Sequence, residues 1–90
     1  MIKDAQVAIV NAASLALKIY KKVPDMPIEE IIKKIIPFLE AEKVEETAEI
    51  AAISAVNGVV KLKKRPENKD ITDKQIIEMW MKNEKIANVI

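Results

Sequence analysis

The sequence predicts an all-α domain of four helices built from two similar helical hairpins, and three observations carry that prediction. The second half reads as a loose copy of the first. Lys21-Lys22-Val23-Pro24 recurs as Lys63-Lys64-Arg65-Pro66, preceded by the matched residues Ala12/Ser54, Ala13/Ala55, Ala16/Gly58, Leu17/Val59 and Tyr20/Leu62. After three extra residues, Glu67-Asn68-Lys69, the match resumes: Asp25-Met26 with Asp70-Ile71, Glu30-Ile31-Ile32 with Gln75-Ile76-Ile77, Ile35-Ile36 with Trp80-Met81. Apolar residues recur at helical spacing in both copies, and no segment alternates as a strand would. Each copy, 1–43 and 44–90, has the size of one helical pair, a unit that cannot bury its apolar face alone.

Helix 1, about 2 to 22, sets Ala5, Ala8, Ile9, Ala12, Ala16, Ile19 and Tyr20 on one side. Val10, Ala13, Leu15 and Leu17 widen the apolar arc to roughly 220° at about 100° per residue. Val23-Pro24-Asp25-Met26-Pro27 ends it, because proline disfavours helix in the residue before it. Helix 2 starts near Pro27, with Glu29 and Glu30 complementing the N-terminal dipole. Ile28, Ile31, Ile32, Ile35, Phe38 and Leu39 form its apolar face, and Pro37 predicts a kink or break on the polar side.

Helix 3, about 44 to 64, runs through Val44, Ala48, Ala51, Ala52, Ala55, Val56, Val59 and Leu62. No Gly, Pro or cap separates Glu40 from Glu46, so helix 3 is expected to follow helix 2 almost directly. Asn57-Gly58 resembles a hairpin turn, but its flanks keep helical period, so Gly58 reads as a packing gap. Helix 4 has the clearest start: Thr72 as N-cap, Gln75 completing a capping box, and Ile71 with Ile76 as a hydrophobic staple. Ile76, Met79, Trp80, Ile86, Ala87 and Ile90 share its inner face, with Ile77 and Met81 outside that arc.

Small residues concentrate in helices 1 and 3 and large ones in helices 2 and 4, so helices 1 and 3 should be the central pair. Ala12, Ala16, Ala51 and Ala55 are the expected crossing. The resulting domain, residues 1–90, is of pseudo-two-fold or HEAT-like helical-repeat type.

Composition narrows the function. Ninety residues suffice for one core, and the net charge of +1 gives no global pull toward nucleic acid or membrane. There is no Cys and no His, which removes disulfides, thiolate chemistry, imidazole catalysis and ordinary zinc sites. No secretion signal or membrane span is legible, so the expected location is cytoplasmic. Fifteen Ile, fourteen Lys and ten Glu against one Arg and one Gly lean toward a thermophilic source, although an AT-rich genome would do the same.

Lys18, Lys21 and Lys22, with Lys61, Lys63, Lys64, Arg65 and Lys69, form two basic clusters that would contact phosphates as a pair. Against that stand the helix-dipole role of C-terminal cations and the lack of a phosphate loop or reading helix. Glu29, Lys33, Lys34 and Glu40 form a mixed outer face on helix 2, poorly suited to a major groove. Glu40, Glu42, Glu45, Glu46 and Glu49 would suit a hard cation, but acids before a helix have a dipole reason to exist, and no metal or cofactor is assigned. Ser14, Ser54, Thr47, Thr72 and Tyr20 have no imidazole to activate them, so no catalytic residue is assigned.

Ile77, Trp80 and Met81 are the interface candidates, Ile77 and Met81 foremost, since Trp80 reads chiefly as filling the domain's own core. The expected function is therefore non-enzymatic and exerted through protein contacts, as a homodimer or with a protein partner. Nonspecific nucleic-acid binding through the lysine clusters is the alternative.

Overall fold

A computed structural model of the chain describes residues 5–89, with side-chain surroundings over residues 6–82. The turn of helix 1 expected before Ala5, and the inner-face residues Ala5, Ile86, Ala87 and Ile90, lie outside these described side chains. Among the described residues all regular structure is helical: α1 (Ala5–Lys22), α2 (Ile28–Ala41), α3 (Glu46–Lys64), a 3-10 turn (Pro66–Asn68) and α4 (Asp73–Val89). None of these helices is long and apolar enough to cross a membrane.

The small-residue helices form the centre. α1 and α3 share the most extensive contact, α2 and α4 each pack on both, and α2 and α4 do not touch each other among the described residues. Ala8, Ala12, Ala13 and Ala16 of α1 are buried, as are Ala48, Ala52 and Ala55 of α3, because short side chains let two helix backbones approach closely. The Lys64 ammonium lies 5.9 Å from the centroid of the Tyr20 ring, so the C-terminal ends of α1 and α3 are side by side. Leu17, Ile31, Ile35, Leu39, Val56, Val59, Val60 and Ile76 are the large fully buried side chains and join in one core.

Four local expectations change. Ala51 is only half-buried and drops out of the expected crossing, whereas Ala48, Ala52, Ala55, Val56 and Val59 of the expected arc are buried. Ile77 retains 8% exposure and belongs to the core rather than lying outside it. The reason is that α4 rests on α3 and α1 together, so its buried arc is wider than a single helix seam. α2 continues through Pro37 without a break, because Pro37 and Lys33 are both exposed and water can take up the freed carbonyl.

Nor does α3 follow α2 directly. Lys43 adopts φ 55, the Lys43 N–H donates to the Glu40 carbonyl at 3.1 Å, and the Val44 N–H donates to that of Leu39 at 3.5 Å. This is a Schellman closure with lysine at the left-handed position that glycine usually occupies. Val44 packs onto the core that contains Leu39, which anchors the reversal. A left-handed lysine costs about 1–2 kcal/mol, offset in part by the entropy a glycine would bring. Lys43→Gly should therefore raise stability by ~0.5–1 kcal/mol, read as a higher urea midpoint at unchanged slope.

The start of α4 follows its sequence signature. The Thr72 N–H donates to Gln75 Oε1 at 3.1 Å, and the Gln75 N–H donates to Thr72 Oγ1 at 3.3 Å. Ile71 packs against the cluster that holds Ile76. The three inserted residues before it are used as well. Asn68 is buried, and its Nδ2 donates to the Leu62 carbonyl at 2.8 Å, closing the end of α3. Gly58 receives the indole of Trp80: a Cβ added there would overlap Nε1 and Cδ1 of that ring.

Candidate functional site

The basic clusters meet at one end of the bundle, because the C-termini of α1 and α3 are adjacent and α4 begins beside them. Three of the cations there are engaged within the chain. Lys21 Nζ lies 3.0 Å from Asp73 Oδ1 and donates to Oδ2 at 3.1 Å, tying the end of α1 to the first turn of α4. Lys63 Nζ donates to the carbonyls of Lys69 (3.2 Å) and Ile71, holding the α3–α4 connection closed. Lys64 sits over Tyr20. Lys18, Lys22, Lys61, Arg65 and Lys69 are exposed.

The acidic residues Glu40, Glu42, Glu45, Glu46 and Glu49 lie at the opposite turn between α2 and α3. Glu46 and Glu49 occupy the first turn of α3, where they complement its dipole. Among the described residues no three acidic side chains come together to hold a metal ion. Of the hydroxyls, Thr72 is committed to its capping box, Ser54 and Thr47 are exposed, and Tyr20 lies half-buried under Lys64.

The interface candidates separate. Trp80 is half-buried against Gly58 of α3, on the inner side of α4. Ile77 and Met81 instead line a groove of about 520 Å³ between α4 and α1. Val10, Asn11 and Ser14 form its α1 wall, while Asp73, Lys74 and Glu78 complete the α4 wall. A second hollow of about 300 Å³ shares Val10 and Asn11 and extends the groove along α1 past Val7, which is 46% exposed.

Ile77 thus has two surroundings: most of its surface lies in the core, and the remainder is groove floor. Sequence reasoning singled out Ile77 and Met81 but not Val10, whose place in the broad α1 arc gave no sign that it would face a gap beside α4. No family model matches the chain, and neither do any of the curated proteins or solved structures with which it was compared.

Proposed function

We propose that this chain is a small non-enzymatic helical protein that acts through protein–protein contacts and self-associates. The observation that carries this reading is the groove between α1 and α4, with Val10, Ile77 and Met81 on its floor and polar side chains on its rim. An apolar strip with a polar border is the composition of a contact surface. Sedimentation of the full chain tests it. Wild type should dimerise at high micromolar concentration, and Met81→Lys, at a half-buried groove position, should give a folded monomer. A wild type that stays monomeric would remove the self-association reading. Ile77→Lys is not an equivalent probe: at 8% exposure it would place an ammonium in the core and unfold the domain.

Duplication of one helical hairpin is part of the same proposal. In its support, α2 lies on α1 and α3 as α4 lies on α3 and α1. The copies have diverged in burial, with Ala12 buried where Ser54 is exposed and Lys18 exposed where Val60 is buried.

One observation favours the nucleic-acid alternative, the gathering of both lysine clusters at one end. Lys21 and Lys63 are poor probes of it, since replacing them would loosen the α1–α4 tie and the α3–α4 connection. The exposed set Lys18, Lys22, Lys61 and Lys69 changed to Gln is the cleaner test. We expect no tight complex of wild type with duplex DNA or RNA at physiological salt by fluorescence anisotropy. A submicromolar, salt-sensitive complex that this variant loses would establish the alternative.

A further inference from the structure

We propose that the groove between α1 and α4 receives α4 of a second copy of this chain, set antiparallel across a two-fold axis, with Lys74 of each copy against Glu78 of the other. The inference rests on the self-association reading above and adds the orientation and register of the partner. The α4 rim of the groove carries one exposed cation and one exposed anion, Lys74 and Glu78, separated by one helical turn. Among the described residues neither is paired within its own chain.

A two-fold contact brings a patch against its own reversed image. Reversal of α4 places Glu78 where Lys74 stood, so one axis between the two positions creates two opposite-charge pairs at once. A parallel approach would set Lys74 near Lys74 and Glu78 near Glu78, and like charges so placed oppose association. The second copy therefore carries the complement of this surface in its charges.

The stretch from Lys74 to Met81 spans about 10 Å at roughly 1.5 Å per residue. Two turns from each copy make a small interface, so the dimer should form in the micromolar range, on the order of a weak transient complex. Its charge pairs lie at the rim, so added salt should weaken it.

The test is sedimentation equilibrium on the full-length wild type, Lys74→Glu, Glu78→Lys and the double swap, with circular dichroism to confirm the fold. Each single swap should weaken dimerisation by roughly tenfold, since two attractive pairs become repulsive. The double swap should return it to within about threefold of wild type. A dimer indifferent to the single swaps, or a double swap no better than either single one, overturns this register while leaving self-association standing. A monomeric wild type overturns both.

Discussion

Ala55→Leu should cost ~3 kcal/mol, the upper end of the range for overpacking a core. Ala55 is fully buried on α3, the helix that makes the most extensive contact in the fold with α1 and also carries α2 and α4. Three further carbons at that point must separate the central pair or force a strained rotamer, and both responses disturb α2 and α4, which rest on the two central helices. A ninety-residue domain holds on the order of 5–13 kcal/mol in total, so a loss of this size takes a large share. The measurement is thermal unfolding, where a drop on the order of 15 °C is expected for a domain of this size. An unchanged midpoint would mean that α1 and α3 do not cross closely at Ala55.

Gly58→Ala is expected to change sign with its partner. In the wild-type background the new methyl group occupies the seat of the Trp80 indole, so the ring must leave Gly58. Overpacking of that kind costs about 1–3 kcal/mol, against a gain of about 1 kcal/mol in helix propensity, and the net effect should be destabilising. In a Trp80→Leu background the clash is gone, and the same substitution should stabilise by up to ~1 kcal/mol. Trp80 is the single tryptophan, so its fluorescence reports the displacement directly as a shift to longer wavelength. Equal effects of Gly58→Ala in both backgrounds would show that the indole does not seat there.

These two positions also mark how far the sequence could be read. Gly58 was legible as a packing gap because helical period continued on both sides of it, although the sequence did not say which side chain fills the gap. The capping box at Thr72 and Gln75 was legible in full, since its donors and acceptors lie within one turn of chain. The placing of α1 and α3 at the centre followed from side-chain size, which limits how closely helices approach. The three residues inserted before α4 read only as a break in the repeat, yet they supply Asn68 to close the end of α3.

What the sequence by itself determined was the local order: the number of helices, the capping of α4, the broad apolar arcs and the small-residue pair at the core. Those depend on forces acting within a turn or two, or on volume alone. Only the tertiary structure decided that Ala51 stays half-exposed beside a buried Ala52, and that α4 sits across two helices, which draws Ile77 into the core. It also decided the use of Lys21, Lys63 and Lys64 inside the fold, where sequence showed only two basic clusters. Each of these depends on which distant residue stands opposite, and helical periodicity along one chain segment holds no record of that.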